Sequence, residues 1–199
     1  DVIKSGQNVT VDCTGEKGLV YEGLLDSSQN EINISKMPKT KTKIMMNVSS
    51  PSQAFKYCRI PNSGVGLART EFIIESEIKV HPKALIDFDD LELELKTIVE
   101  EHTKGYRDKK QFFIDRLKYG IGVIGSAFYP KEVIVRFTDF HSNEFRNLIG
   151  GHLYEPQEEN PMIGFRGASR YYSKSYRQAF EMELDAVLQV RNDMGLENI

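Results

Sequence analysis

Three arginines, Arg69, Arg136 and Arg166, stand at comparable places in this 199-residue sequence. They occur in the short apolar segments GVGLAR, VIVRF and MIGFR, each of which predicts a strand. The ligand site of a parallel α/β fold lies beyond the carboxyl ends of its strands, so arginines there would converge. A guanidinium presents a planar fork that matches phosphate or carboxylate in bidentate fashion. Three of them would hold a substrate that carries both groups, such as a phosphorylated keto acid.

A purely structural role for these arginines stays open, because acidic residues lie near them in the sequence. Glu71 could pair with Arg69, and Asp139 could pair with Arg136. Asp139 and Glu144 together are expected to orient Arg136 rather than to act in catalysis. The glycines around Arg69 allow a close backbone approach, but they do not form a dinucleotide-binding fingerprint.

The other residue types that could do chemistry indicate no catalytic or metal site. The carboxylates of Glu155, Glu158 and Glu159 could hold Mg²⁺, but a solvated loop is the favoured interpretation. Cys13 and Cys58 are 45 positions apart, fit no zinc spacing and are expected to be reduced thiols. The histidines form no HxxxH pair; they are His81, His102, His141 and His152.

Composition and charge exclude several classes of function. The chain has 26 Lys and Arg against 29 Asp and Glu, so its net charge is −3, which disfavours nucleic-acid binding and an anionic membrane surface. No apolar run approaches the ~20 residues of a membrane span, and the N-terminus has no secretory signal. We therefore expect a cytoplasmic protein. The absence of an initiator Met predicts that the chain begins inside a longer protein.

The pattern along the chain predicts three regions. Residues 1–25 contain two short strands, GQNVTVDC and GLVYEGLL, joined by a turn at 14–18, and are expected to be the tail of a β-rich domain. Residues 26–43 are polar, contain proline and end in alternating Lys and Thr, which is typical of a linker. From residue 44 onward strands alternate with helices, which predicts a parallel α/β sheet.

Within 44–199 we predict three or four strands and several helices. The strands are IMMNVSS, GVGLARTEFII, EVIVRFTDF and PMIGFRGASR. Of these, EVIVRFTDF is predicted to be buried on both faces. A short helix follows Ser50, a long helical region covers 88–118 with an interruption at Gly105, and a last helix ends at Gly195. Its buried stripe is predicted to consist of Tyr176, Phe180, Val187, Val190 and Met194. A doubly wound sheet and a partial (β/α)₈ barrel both fit, since 156 residues are fewer than the ~250 of a whole barrel.

Longer strings in the chain resemble a known family. GVGLARTEF, VIVRFTDFHSNEFRNLIGG and YEPQEENPMIGFRGASRY are similar to the phosphoenolpyruvate (PEP) synthases, or pyruvate, water dikinases, among the PEP-utilising enzymes. NVTVDCTGEKGLVYEG resembles the end of that family's swivelling phosphohistidine domain. Pyruvate phosphate dikinase and the first enzyme of the sugar phosphotransferase system share the GLxRTE string, but RFTDFHSNEFRNLIGG sides with the synthases.

The resemblance implies a fold and a reaction. The fold would be α/β, the N-terminal part of a (β/α)₈ TIM-type barrel over 44–199, preceded by a β remnant of the swivelling domain over 1–25 and the linker 26–43. ATP would phosphorylate a histidine, and the phosphoryl group would pass to the enolate of pyruvate on Mg²⁺, giving PEP, AMP and phosphate. Arg69, Arg136 and Arg166 would bind pyruvate or PEP.

The resemblance also implies what this chain does not contain. The phosphorylated histidine, the ATP-binding domain, the Mg²⁺ ligands and a proton-donating cysteine would all lie outside it, so the segment alone is expected to be inactive. Unpaired sheet edges would favour self-association into a homo-oligomer. Another PEP-utilising enzyme, or a non-catalytic module that binds anions or a partner, remains an alternative.

Overall fold

The computed structural model describes residues 2–13, 18–28, 33–34, 37–38 and 40–199. The chain divides into two compact units, 1–38 and 39–199. Apart from Gly18, the predicted turn at 14–18 lies outside the described residues, as does part of the predicted linker.

The first unit contains an antiparallel pair of strands, as predicted. β1 (Val9–Asp12) pairs with β2 (Leu19–Glu22), with Val9 opposite Glu22 and Asp12 opposite Leu19. The Thr10 hydroxyl donates to the Gly23 carbonyl at 2.8 Å and accepts the Leu25 N–H at 2.9 Å. These two bonds extend the pairing of the strands beyond β2.

The second unit is built on a parallel sheet in the order β3-β4-β5, which confirms the predicted α/β class. The strands are β3 (Met46–Val48), β4 (Val65–Arg69) and β5 (Val133–Arg136). β4 is central, and both of its neighbours run parallel to it. Parallel neighbours require long connections, and helices supply them.

The described part of the second unit contains eight α-helices, which lie between and after the strands. They are α1 (Pro51–Tyr57), α2 (Thr70–Ile73), α3 (Pro82–Ile86), α4 (Leu93–His102), α5 (Lys109–Phe128), α6 (Ser142–Arg146), α7 (Ala168–Tyr171) and α8 (Arg177–Asn192). A π-helical turn, Ile74–Ile78, continues α2, and short 3₁₀ turns lie at Phe88–Asp90, Gly151–Leu153 and Pro161–Ile163. The predicted break at Gly105 separates α4 from α5. No described helix is both long and apolar enough to cross a bilayer.

The core lies between the sheet and α5, which packs against α8. α5 buries a row of large apolar side chains, namely Phe112, Phe113, Leu117, Ile121, Ile124 and Phe128. α8 meets it through small residues, Ala179 and Ala186, together with Met182 and Val190. The predicted stripe is correct at Tyr176 and Val190 but wrong at Met194, which is 43% exposed. Phe180 and Val187 are partly buried against the core, and the Phe180 ring packs on Phe137 and Tyr171.

Three predicted strands differ from the structure. PMIGFRGASR is not a strand: Asn160 Oδ1 accepts the Met162 N–H and starts the 3₁₀ turn, and α7 follows after Gly167. β5 is buried on one face only, because Ile134 is 48% exposed at the edge of the described sheet. The segment after Arg69 was also assigned to a strand, but the chain enters α2 at Thr70.

Candidate functional site

The three predicted arginines line one pocket at the carboxyl end of the parallel sheet. Arg69 is the last residue of β4 and Arg136 the last residue of β5, and they lie opposite each other in the register of the two strands. Arg166 reaches the same pocket, of about 350 Å³, from the loop before α7. The predicted convergence is therefore present, although Arg166 arrives from a loop and not from a strand end.

Two carboxylates hold Arg136. Its Nη2 lies 2.6 Å from Glu71 Oε1, and its Nη1 lies 3.2 Å from Asp139 Oδ2. The pairing with Asp139 is as predicted, but the alternative that paired Glu71 with Arg69 is wrong. Because the chain turns into α2 at Thr70, Glu71 reaches the end of the neighbouring strand, where it also accepts the Asp139 N–H at 2.8 Å. Glu71 therefore ties the ends of β4 and β5 together.

Asp139 also holds Arg166, in a bidentate pair. Arg166 Nε lies 3.2 Å from Oδ1 of Asp139, and Nη2 lies 2.8 Å from Oδ2. The hydrogen bonds from Arg166 outweigh the effect of burial and, with the charges of Arg166 and Arg136, lower the pKa of Asp139. The same hydrogen bonds raise the pKa of Arg166. Asp139 is thus ionised and joins two of the three arginines.

His141 supports Arg166 from the other side. Its Nε2 lies 2.6 Å from Nη1 of Arg166, and its Nδ1 lies 2.6 Å from Glu144 Oε2. A guanidinium can only donate, so Nε2 must accept and the ring proton must be on Nδ1, where it is donated to Glu144. Glu144 Oε2 also accepts the His141 N–H at 2.7 Å and closes a capping box at α6. The prediction that Glu144 orients Arg136 is wrong, since it orients His141.

Arg69 differs from the other two arginines because its charge is not neutralised by a neighbour. No carboxylate of the described residues lies within ion-pair distance of its guanidinium, which is exposed and lies 5.9 Å from the centroid of the Phe72 ring. Glu75 lines the same pocket, and burial together with the charges of Glu144 and Glu71 raises its pKa. The geometry leaves Arg69 available to an anion.

Two buried polar atoms of the site make no hydrogen bond within the described part of the chain. They are Nε of Arg136 and Oε2 of Glu71. Arg136 therefore keeps one N–H donor uncommitted while its two terminal nitrogens are held by carboxylates. Buried polar groups normally have a partner, so this buried N–H is an exception within the described part of the chain.

A buried glutamate, Glu183 on α8, lies directly behind the pocket. Its Oε2 accepts the Thr138 N–H at 2.9 Å, and the Tyr176 hydroxyl donates to its Oε1 at 3.4 Å. Burial raises the pKa of Glu183 to about 7. Sequence reasoning missed this residue. The available signal was its place on the predicted buried stripe, seven residues after Tyr176 and seven before Val190.

The described residues do not assemble a metal site. No group of three or more His, Cys, Asp or Glu side chains is placed to hold an ion in the part of the chain that the structure describes. The prediction of a solvated acidic loop is wrong for Glu155, which is 5% exposed and pairs with Arg170. Glu158 is partly buried and its Oε1 accepts the Phe165 N–H at 3.1 Å, so of the three glutamates only Glu159 is exposed.

Comparison with known proteins gives a family match over most of the chain. Residues 26–199 match the model of the PEP-utilising enzyme, PEP-binding domain. The chain is 52% identical to phosphoenolpyruvate synthase of Escherichia coli (strain K12) over 99% of its own length and 25% of the relative's. It is 52% identical to the same-named protein of Synechocystis over its whole length and 25% of the relative's.

A more distant relative has a related name. The chain is 40% identical to a probable phosphoenolpyruvate synthase of Staphylothermus marinus, over 100% of this chain and 23% of that protein. In all three cases the chain spans about a quarter of the length of the relative that it matches. The arginine pocket lies within the region that the family model covers.

Proposed function

Since the chain belongs to the PEP-utilising enzymes, we propose that it binds PEP and pyruvate as one segment of a phosphoenolpyruvate synthase. The observation that carries the proposal is that Arg69 and Arg136 lie opposite each other at the carboxyl ends of adjacent parallel strands. Arg166 lines the same pocket. PEP carries a phosphate and a carboxylate, the two groups that arginine binds in bidentate fashion.

The three arginines are suited to different parts of this task. Arg136 and Arg166 are held by Asp139 and Glu71, so their donors are oriented before a ligand arrives. Donors oriented in advance do not have to reorganise as charge develops on the substrate, which is the main source of electrostatic catalysis. Arg69 makes no ion pair among the described residues, so its N–H donors are free to bind the substrate.

The reaction of the longer protein would convert pyruvate, ATP and water into PEP, AMP and phosphate through a phosphohistidine. In this proposal residues 1–25 belong to the domain that carries the histidine, 26–43 form a linker and 44–199 form the first part of a (β/α)₈ barrel. The three parallel strands and their helical connections are compatible with such a barrel. Phosphoryl transfer depends mainly on positioning and on neutralising charge, which arginines can provide.

The described residues do not fit a Mg²⁺ site. Both oxygens of Asp139 and one oxygen of Glu71 are engaged by arginines, and no three ligands come together among the described residues. Mg²⁺ requires several oxygen ligands in near-octahedral geometry. We propose that its ligands, like the ATP site, belong to the rest of the longer protein.

The test is product analysis with the full-length protein that contains this chain. Pyruvate and ATP should give PEP with AMP and phosphate, without added phosphate. Formation of pyrophosphate with a requirement for phosphate would instead indicate a pyruvate phosphate dikinase. An Arg69→Lys variant should lose PEP formation while Arg107→Lys, a change at an exposed residue between α4 and α5, should not. Failure of the unmodified protein to form PEP would favour a non-catalytic module.

A further inference from the structure

A second, fully buried arginine holds the loop that carries Arg166. Arg170 lies on α7 and is 1% exposed, and it does not line the arginine pocket. Its Nε and Nη2 both donate to the carbonyl of Phe165, at 3.2 and 2.8 Å. Phe165 immediately precedes Arg166. We propose that Arg170 is a positioning residue that holds Arg166 at the substrate site, an inference that rests on the function proposed above.

Arg170 also joins the two ends of this loop. Its Nη1 donates to Glu155 Oε1, and its Nη2 lies 2.9 Å from Glu155 Oε2 and 3.0 Å from Ser142 Oγ. Glu155 begins the loop, Arg170 follows its end, and Ser142 belongs to α6. One planar guanidinium therefore binds the first residue of the loop, the carbonyl next to Arg166 and the helix beneath. A lysine ammonium has no planar fork and cannot make this set of contacts.

The surroundings of Arg170 make its position well determined. The guanidinium lies 4.8, 4.5 and 5.2 Å from the ring centroids of Phe145, Phe165 and Tyr176. Burial favours the neutral form of Glu155, but hydrogen bonds from His81 and Arg170 outweigh it and lower its pKa. Removing one partner of a buried ion pair strongly destabilises the folded state, because the other charge is left buried without a partner. The pair is thus a rigid support for the loop.

The backbone next to Arg166 is held from both sides. The Phe165 N–H donates to Glu158 Oε1 at 3.1 Å while Arg170 binds the Phe165 carbonyl. Glu158 is itself fixed to α6, because its N–H and carbonyl pair with the Asn143 side chain at 2.8 and 2.9 Å. With Phe165 fixed, the side chain of Arg166 starts from a defined point and reaches Asp139. Loss of the bonds from Arg170 would free this backbone on one side.

The experiment is a double-mutant cycle in the full-length protein, with kcat and KM for pyruvate measured as PEP formation. The variants are Arg170→Lys, Arg166→Ala and the double variant. Arg170→Lys alone should lower kcat/KM about tenfold, mainly through KM, because it loosens a binding group. In the Arg166→Ala background the same change should have less than about a twofold effect, because the residue it positions is gone.

If the losses in kcat/KM caused by Arg170→Lys and by Arg166→Ala multiply in the double variant, the inference is overturned and Arg170 acts only on folding.

Ser142→Ala, which removes one bond to Arg170 and leaves the ion pair, provides a milder variant. It should also show a loss that disappears in the Arg166→Ala background, and a loss that persists there would count against the inference. Arg177→Lys is the matched control, because Arg177 is exposed and pairs with Glu181 on the surface of α8. If Arg166→Ala itself leaves kcat/KM unchanged, the proposed function fails independently of Arg170.

Discussion

Asp139 determines how two of the three arginines face the pocket. Its two oxygens bind Arg166 in a bidentate pair, and Oδ2 also reaches Arg136 at 3.2 Å. Arg69 has no carboxylate partner among the described residues and is exposed. The site thus consists of one arginine without an ion pair among the described residues beside two arginines whose donors are already oriented. The substitutions that test it should therefore change geometry while keeping charge.

Arg136→Lys in the full-length protein should lower kcat/KM for pyruvate by about ten- to a hundredfold. A lysine keeps the charge, but its single nitrogen cannot bind Glu71 and Asp139 as the two terminal nitrogens of a planar guanidinium do. PEP formation at saturating and at low pyruvate measures the effect. Arg107→Lys is the control and should be neutral. Near-normal turnover of Arg136→Lys in both regimes would mean that Arg136 serves only to bind Asp139.

Glu183→Gln should remove a pH dependence from the stability of the chain. Burial raises the pKa of Glu183 to about 7, so the native state holds this proton more tightly than the unfolded chain does. The resulting stabilisation is complete below about pH 4.5 and is lost as the pH rises through about 7. The loss is on the order of 3 kcal/mol, since one pKa unit corresponds to about 1.4 kcal/mol.

Urea unfolding of the wild type and of Glu183→Gln between pH 4.5 and 8 measures this difference. The variant should be less stable or equal at pH 4.5 and more stable than the wild type at pH 8. Glu181→Gln is the control, because Glu181 lies on the exposed face of the same helix. An unchanged pH profile in Glu183→Gln would show that the carboxyl is already ionised in the native state.

At the scale of elements, hydrophobic patterning predicted the parts that are regular. Apolar runs predicted the strands β3, β4 and β5. Pro51 marked the start of α1, and Gly105 marked the break between α4 and α5. The segment 161–170 does not form the predicted strand because polar side chains hold its backbone in another conformation. Glu158 accepts the Phe165 N–H and Arg170 donates to the Phe165 carbonyl, while Asn143 fixes Glu158 through the tertiary structure. No local pattern encodes such pairs.

Gly64→Ala should be among the most destabilising single changes in the chain. Gly64 has a φ of +123°, and a Cβ there would lie 2.2 Å from the carbonyl oxygen of Glu132. That oxygen accepts the Val65 N–H at 2.9 Å, so the clash would separate the start of β4 from the segment before β5. We expect a loss of about 4 kcal/mol or more in the free energy of unfolding.

Gly105→Ala is the matched control for this change. Gly105 also has a positive φ, of +91°, but no atom lies within 4 Å of the position of its Cβ. Only the left-handed backbone would be penalised, at about 1–2 kcal/mol. Chemical denaturation of both variants gives the comparison. Equal losses would show that the contact between Gly64 and Glu132 does not constrain the sheet.

At the scale of the whole molecule, the exposed edge of the sheet predicts self-association. β5 pairs with β4 on one side, and on its other side Val133 N–H donates to the Asn198 carbonyl at 2.8 Å. Beyond that bond, Ile134 is 48% exposed. An edge strand with apolar side chains recruits further strands, and a lysine there prevents it. The isolated chain should therefore form oligomers, and Ile134→Lys should convert them to monomers.

Light scattering during size-exclusion chromatography at high protein concentration measures the mass of both proteins. Ile60→Lys is the control, because Ile60 has a similar exposure of 46% and lies outside the sheet. A monomeric wild type at all concentrations would contradict the prediction.

The candidate site could be predicted in part, and the reason lies in the range of the interactions. Arg69 and Arg136 follow apolar strands, so their convergence could be expected from the parallel topology alone. The bond between His141 and Arg166 spans 25 positions, and the contact between Glu183 and Thr138 spans 45. Contacts of that separation form only after the chain has folded, and a single sequence does not reveal them.

The most direct test of the arginine pocket as the PEP site is a titration with PEP, followed by nuclear magnetic resonance, of the ¹⁵N-labelled 199-residue chain in its Ile134→Lys form, which is expected to be monomeric. The side-chain Nε–H signals of Arg69, Arg136 and Arg166 should shift together and saturate, and Arg69→Lys should weaken the titration of the other two. A larger groove of about 650 Å³, bordered by Leu91 and Leu95, is the internal comparison and should show no change. Shifts confined to that groove, or no shift at the three arginines, would contradict the assignment of the arginine pocket as the PEP site.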